Sequence, residues 1–311
     1  MNIYSESSEI TKLLKPVVTV GSFDGLHRGH LKILDRVKEI SENTKTESFV
    51  VTFEPHPRTV IAKDYNLKIL TSLEEKKKIF EKTGINNLMI LDFTKEFSQL
   101  TSDEFIKKFI VDKLSASYMV IGHDHKFGRD RLGDYKKLRE VGNVFNFGIT
   151  SVQPEMHDDS IISSTRIRNA LIEGDVELAN TLLGRVYSFS GVIVTGMQRG
   201  RLLGFPTANI KLDESKKALP KNGVYIVNCF LEGEIFSGIM NAGFRPTFEN
   251  IHELVVEVHI LNFDRDVYGK SMTIEILKRI RDEKRFNTKE ELINQIENDK
   301  QKTIDFKKLI N

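Results

Sequence analysis

The chain has 311 residues, 40% hydrophobic and 29% charged, with a formal net charge of +2. That length accommodates two domains with buried cores, and the near-neutral balance gives no broad electrostatic case for nucleic acid or membrane. A single cysteine, Cys229, excludes an intrachain disulfide and a Cys-rich zinc site, and fits a reducing cytoplasm. No apolar run reaches membrane-spanning length, and the amino terminus lacks the basic-then-apolar order of a signal peptide.

Strand-like and helix-like segments alternate through the first half. Pro16 to Val20 reads as a buried strand, and GSFDGLHRGH (Gly21 to His30) carries it into a helix with Ile33, Leu34, Val37 and Ile40 on one face. Ser48 to Phe53 is a second strand, closed by Glu54-Pro55-His56-Pro57. Ser72 and Glu75 form a capping box for a helix that stops at Gly84, and Leu88 to Leu91 is a third strand. Thr101 and Glu104 cap a helix whose stripe is Phe105, Ile106, Phe109, Ile110 and Leu114. Tyr118 to Ile121 is a fourth strand, Phe145 to Val152 a fifth, and two helices follow over Ser164–Glu173 and Asp175–Leu183. This order predicts an α/β domain with a parallel sheet covered on both faces.

After Gly184 the rhythm changes. Residues 186–194, 224–231, 235–240, 254–261 and 272–277 read as strands, with a Glu232-Gly233 hairpin turn. Thr288 and Glu291 then cap a last helix running to about Leu309. The pattern predicts a small antiparallel barrel or sandwich, with the domain boundary near Arg185.

Five of the eight histidines (His27, His30, His56, His123 and His125) fall just past the ends of predicted strands. In a doubly wound sheet those ends face one crevice. Scattered surface histidines and a metal site are both competing readings, but the clustering favours a shared function. Neither a G-x-G-x-x-G fingerprint nor a P-loop occurs. Backbone N–H groups with two imidazoles suit charge on a transferring phosphoryl group. Ser163-Ser164-Thr165-Arg166-Ile167-Arg168 opens a helix with hydroxyls and guanidinium forks. On its own this is an ordinary capped helix; beside the first loop it reads as a second polyphosphate clamp.

GSFDGLHRGH, TFEPHP, GHDHKFGRDRLGDYKKL and ISSTRIR, in that order, resemble the HxGH nucleotidyltransferases. More narrowly, they resemble the adenylyltransferase domain of bifunctional riboflavin kinase/FAD synthetases. The resemblance implies a Rossmann-like domain in which the FMN phosphate attacks the α-phosphorus of ATP. It implies that Phe23, Asp24, Gly25, His27 and His30 surround ATP, with the two histidines stabilising the transition state. Ser164, Thr165 and Arg168 would hold the departing phosphates, and Phe53, Glu54, Asp124 and Phe127 would lie near flavin or adenine. Many relatives have Phe where this chain has His125.

In the second half, four glycines (Gly191, Gly196, Gly200 and Gly204) interleave with Arg199 and Arg201, and Phe205-Pro206-Thr207-Ala208-Asn209 follows. Such a backbone can wrap polyphosphate, and Thr207 and Asn209 offer oxygens to a hard cation. A plain glycine-rich turn is the alternative. By alternation, Leu254, Val256, Val258 and Ile260 face one way, and Val255, Glu257 and His259 the other. Glu257 is a solvated carboxylate, or a general base if that face lines a pocket.

RGRLLGFPTANI, NAGFRPTF, VEVHIL, FDRDVYG and IRDEKRF together resemble riboflavin kinase. That resemblance implies a six-stranded antiparallel barrel with a carboxyl-terminal helix. It assigns Gly196, Arg199, Gly200, Arg201, Gly204, Phe205, Thr207 and Asn209 to ATP, Thr207 and Asn209 to its Mg²⁺, and Glu257 to base catalysis on riboflavin. Asn241 and Arg281 fall on the flavin side; NAG stands where NIG is usual. The expectation is therefore residues 1–184 for FMN adenylylation and 185–311 for riboflavin phosphorylation. Substrates would be riboflavin, FMN and ATP, with no nucleic-acid or membrane partner; the sequence carries no statement on oligomeric state. A flavin-binding protein without turnover is the reading from a different class.

Overall fold

The structure, a computed structural model, describes residues 1–10, 15–62, 67–123, 128–129, 135–196, 200, 203–246 and 252–310. Two compact units divide the chain, Met1–Ser164 and Thr165–Asn311.

In the first unit, β1 (Asn2–Tyr4), β2 (Val17–Val20), β3 (Ser48–Glu54), β4 (Asn87–Asp92), β5 (Tyr118–Gly122) and β6 (Gly148–Val152) form one sheet. Their spatial order is β1-β4-β3-β2-β5-β6, and every neighbouring pair is parallel. Alternate residues feed two cores. Val18, Val20, Phe49, Val51, Phe53, Met89 and Leu91 pack on one face with Phe105, Phe109 and Ile110. Val17, Val50, Leu88 and Val120 pack on the other with Leu34, Val37 and Ile40 of α1 (Arg28–Thr44). Burial on both faces explains why β2 and β3 read as unbroken apolar runs.

The capping boxes predicted at Ser72 and Thr101 both form, opening α3 (Leu73–Glu81) and α4 (Ser102–Phe105). The short α2 (Pro57–Ile61) lies between β3 and α3. The apolar stripe after Thr101 is buried as expected, but its backbone widens to a π-helix over Ile106–Lys113.

Three differences from the sequence reading stand out. The fifth strand was expected from Phe145, yet α5 (Tyr135–Phe145) comes first and the strand begins at Gly148. Asn146, at φ 58°, ends that helix in the left-handed region, and Val144 and Phe145 are exposed. Apolar residues on an exposed helix end therefore imitate a strand start. At the amino terminus, β1 pairs with β4 although its three residues carry no strand pattern. In the second unit the strands expected from sequence leave out Ala208–Leu212, a short alternating run that only the family resemblance supplied by count.

The second unit is a closed antiparallel barrel of β9 (Tyr187–Val194), β10 (Ala208–Leu212), β11 (Gly223–Leu231), β12 (Glu234–Pro246), β13 (His252–Ile260) and β14 (Ser271–Arg281). A two-strand hairpin, β7 (Met156–His157) and β8 (Ser160–Ile161), precedes it in the first unit. The helices α6 (Ser164–Glu173) and α7 (Val176–Leu183) pack with the barrel. Asn180 of α7 donates to the Ile276 carbonyl at 2.9 Å and accepts from the Tyr187 backbone at 2.7 Å. The Leu171 carbonyl of α6 accepts from the Lys221 backbone at 2.8 Å. The compact unit thus begins before Arg185, where the secondary-structure rhythm changes. The last helix, α8 (Lys289–Ile310), contacts β12.

Candidate active sites

In the first unit, β2 lies between β3 and β5, so the chain leaves in opposite directions on its two sides. That reversal opens a crevice at the carboxyl ends of the strands. GSFDGLH occupies it. Phe23, Gly25 and Leu26 have φ of 47°, 83° and 39°, three left-handed residues in one short turn. Non-glycine residues hold that conformation only against a cost of about 1–3 kcal/mol each, so surrounding contacts must fix it.

Those contacts are specific. The Asp24 carboxylate is buried and accepts from the backbone N–H groups of Leu70 (2.9 Å) and Thr71 (3.1 Å). The Gly25 N–H donates to Thr71 Oγ1 at 3.0 Å, and Ser164 Oγ donates to the Asp24 carbonyl at 2.8 Å. Phe23 packs edge-on against His30 and Phe80. Asp24 and Phe23, both expected around ATP, therefore meet protein groups that shape the loop. Ser164 joins the start of the SSTRIR segment to the FDG turn.

His27 is the N-cap of α1, and its Nδ1 accepts from the His30 backbone N–H at 3.4 Å. A neutral ring accepting at Nδ1 carries its proton on Nε2, which makes that nitrogen a donor. The His27 and His30 rings stack, with centroids 3.6 Å apart and planes inclined by 18°. Gly29 permits this arrangement, since a Cβ there would sit 3.2 Å from the His27 ring. The result is two imidazoles at the amino end of a 17-residue helix, where the helix dipole favours an anion.

Phe53 joins Phe93, Phe97 and Phe105 in an aromatic cluster at the end of β3. Glu54 follows it, with Oε2 4.0 Å from Lys76 Nζ. Thr165 is exposed and Arg168 buried, one turn apart on α6. His56 caps α2 by accepting from the Arg58 backbone N–H at 3.2 Å, and His123 extends β5 by donating its backbone N–H to the Val152 carbonyl. Asp124, His125 and Phe127 lie outside the described residues. Among the described residues, no three His, Cys, Asp or Glu side chains group as metal ligands.

Sequence reasoning passed over several contributors. Thr71 and Lys76 belong to an ordinary helix start. Glu155 pairs with Arg28 at 2.9 Å and Lys32 at 3.2 Å on the first turns of α1, and those partners hold its carboxyl below the usual carboxylate range. None of the three carries a motif of its own.

In the second unit, Asn209 of β10 and Asn241 of β12 both pair in register with Glu257 of β13. Residues directly opposite in an antiparallel pair project to the same face, with Cβ atoms about 4.5–5.5 Å apart. Asn209, Glu257 and Asn241 therefore form one row across three strands. The alternation read from sequence holds where it is described: Val256, Val258 and Ile260 are buried, and Val255, Glu257 and His259 are half-buried on the other face.

The glycine-rich segment fits closely around this row. A Cβ at Gly196 would stand 2.1 Å from the Asn209 amide, so glycine is required there. Gly200 lies under Phe205, whose carbonyl would be 2.3 Å from an added Cβ. Gly204 has φ 85°, a conformation natural to glycine. His259 donates from Nδ1 to the Pro206 carbonyl at 2.8 Å and meets the Phe205 ring edge-on, which fixes the turn carrying Thr207. Arg199 and Arg201 lie outside the described residues. Asn241 Nδ2 donates to Glu283 at 3.3 Å. The Arg281 guanidinium grips Asp299 of α8, with bonds of 2.9 Å and 2.7 Å to one oxygen. Arg281, expected on the flavin side, thus ties the end of β14 to α8.

A parallel α/β unit with an H-x-G-H loop at its switch point, followed by a six-stranded barrel, has the form of a nucleotidyltransferase joined to a flavokinase-type barrel. The FAD synthetase family model matches residues 10–166 and the riboflavin kinase model residues 183–307. The bifunctional riboflavin kinase/FMN adenylyltransferase of Bacillus subtilis is 39% identical over 293 residues, 93% of this chain and 92% of that protein. The Escherichia coli K12 protein of the same name is 37% identical over 284 residues, 91% and 90% of the two chains. The chain belongs to the bifunctional riboflavin kinase/FMN adenylyltransferase family.

A crystal structure described as a macrolide-efflux protein from Streptococcus pneumoniae matches with a TM-score of 0.88 and 29% identity, covering 97% of this chain and 99% of that one. Its description names efflux, whereas both halves of this chain match flavin-enzyme models. Among the described residues, no helix is long and apolar enough to cross a membrane.

Proposed function

We propose that this chain makes both flavin cofactors in sequence. In the barrel unit, riboflavin's terminal ribityl hydroxyl attacks the γ-phosphate of ATP, giving FMN and ADP. In the α/β unit, the FMN phosphate attacks the α-phosphorus of a second ATP, giving FAD and pyrophosphate. The observation that carries this reading is the presence, on one chain, of an H-x-G-H loop at a sheet switch point and an Asn209–Glu257–Asn241 row on a barrel.

The roles of individual residues are those the family resemblance implies, supported by the geometry where it is described. His27, with its neutral-form proton on Nε2, donates to phosphate oxygens beside His30 as charge builds in the transition state. The amino end of α1 adds backbone attraction for the same charge. Ser164, Thr165 and Arg168 hold the leaving pyrophosphate. Phe53 and Glu54 border the flavin, and the family resemblance assigns Asp124 and Phe127 to flavin or adenine as well. In the barrel, Glu257 takes the proton from the ribityl hydroxyl as general base. Asn209 and Asn241 flank it and align nucleotide and flavin.

Thr207 and Asn209 suit a magnesium ion carried by ATP. Their oxygens are neutral, and magnesium is commonly held by one or two protein groups with the rest of its shell from phosphates and water. The room that Gly196 leaves for the Asn209 amide and the anchoring of the Thr207 turn by His259 support that assignment. Magnesium bound there would neutralise phosphate charge during transfer. The adenylylating half is assigned to residues 1–184, the kinase half to 185–311, and the location to the cytoplasm.

A product time course tests the proposal. Purified protein given riboflavin, ATP and Mg²⁺ is expected to form FMN first and FAD after it, releasing pyrophosphate in step with FAD. Stoichiometric flavin retention without ATP consumption would instead identify a flavin-binding protein.

A further inference from the structure

Lys76 is the least ordinary charged residue in the first unit. It lies on α3, on the first turn after the Ser72 capping box, and is only 2% exposed. Lysine is seldom buried this deeply unless it is paired. The nearest carboxylate oxygen, Glu54 Oε2, is 4.0 Å from Nζ, a charge contact longer than a hydrogen bond. Asp24 contributes a second attraction, and burial holds the ammonium below the ordinary lysine value against both carboxylates.

The position gives this charge a task. Glu54 ends β3 at the mouth of the crevice, and Asp24 anchors the FDG turn through Leu70 and Thr71, just before α3. One buried cation therefore serves the two carboxylates that frame the adenylylation site. The backbone N–H groups of Leu70 and Thr71 already satisfy Asp24. Glu54 stands one-third exposed at the end of β3, and the buried Lys76 ammonium 4.0 Å from its Oε2 is one of the contacts that set its orientation and charge.

We infer that Lys76 is a positioning residue for FMN adenylylation, which acts by holding the Glu54 carboxylate at the flavin side of the crevice. This rests on the assignment of Glu54 to that side. Lys76 is not required to touch substrate.

A double-mutant cycle on the full chain tests it, with FAD formation from supplied FMN as readout and riboflavin phosphorylation by the same chain as folding control. Lys76→Met and Glu54→Gln are each expected to raise the KM for FMN by about ten-fold, with a smaller change in kcat, and the double variant by no more than either alone. Independent, multiplying effects would overturn the inference, as would Lys76→Met with unchanged KM. If Lys76→Met does not fold because the Glu54 charge is left without its neighbouring cation, the double variant, which removes both charges, is expected to fold. A double variant that fails to fold while Glu54→Gln folds would make Lys76 a structural residue and overturn the inference. A wild-type chain that forms no FAD would instead refute the adenylylation reading itself.

Discussion

Asp24→Ala should uncouple the stability of the two halves. The carboxylate is 2% exposed and accepts from two buried backbone N–H groups, Leu70 at 2.9 Å and Thr71 at 3.1 Å. Leaving a buried donor unsatisfied costs about 1–3 kcal/mol, so two such losses, moderated by relaxation, come to about 3 kcal/mol. For a unit of this size, roughly 2–4 °C is lost per kcal/mol, which predicts a drop of about 6–12 °C. Asp24→Asn keeps Oδ1 as an acceptor for both amides and should cost only about 1 kcal/mol. The assay is a heat challenge followed by two activity measurements on one sample. FAD formation from FMN should fail at the lower temperature, while FMN formation from riboflavin survives as in the wild type. If FAD formation in Asp24→Ala withstands the same temperature as the wild type to within about 2 °C, Asp24 does not anchor the loop as argued.

Three further outcomes follow from other parts of the molecule. Asp299→Ala leaves Arg281 without its carboxylate and should cost about 3–5 kcal/mol; heat challenge should then abolish riboflavin phosphorylation first, and equal survival would refute the latch between β14 and α8. Burial pushes the Cys229 thiol up to about 12, so at pH 8 roughly one in ten thousand is thiolate; iodoacetamide should label it only after denaturation, and prompt labelling of the native chain would contradict its burial. Burial also holds Lys76 below its ordinary value of 10.5, so between its folded pKa and 10.5 the unfolded chain binds more protons than the folded one. Stability of the first unit should therefore rise with pH through that window, relative to Lys76→Met. A parallel pH dependence in both proteins would count against a charged, buried Lys76.

The parts of the fold legible in the sequence are those where one local signal had no competitor. Ser72 with Glu75 and Thr101 with Glu104 announce helix starts that form as written. The alternation through Val256, Val258 and Ile260 gives the barrel face of Glu257 directly. Exposed apolar residues mislead: Phe145 reads as the start of a strand, yet with the exposed Val144 it ends a helix. β10 alternates in sequence, Ala208, Ile210 and Leu212 against Asn209 and Lys211, but it is only five residues long and follows directly on the glycine-rich PTAN segment, which drew the reading toward a phosphate-binding turn.

The candidate sites divide the same way. His27 and His30 are visible from their spacing, because a helix start brings residues three apart together. The supports of their loop are not visible, since Thr71 and Ser164 act from positions 46 and 140 residues away. Nothing in the sequence around Arg281 separates a flavin-side guanidinium from one committed to Asp299, because the partner lies on the final helix. Motif reading finds the residues that face a ligand, and long-range hydrogen bonds supply those that hold them in place.

The central claim, two chemistries at two separate sites on one chain, is tested most directly by a pair of variants assayed for both products. Glu257→Gln should make no FMN from riboflavin yet still make FAD from supplied FMN. His30→Ala should convert riboflavin to FMN and accumulate it, with FAD formation lost. If either folded variant loses both activities to the same degree, the two-site account is contradicted.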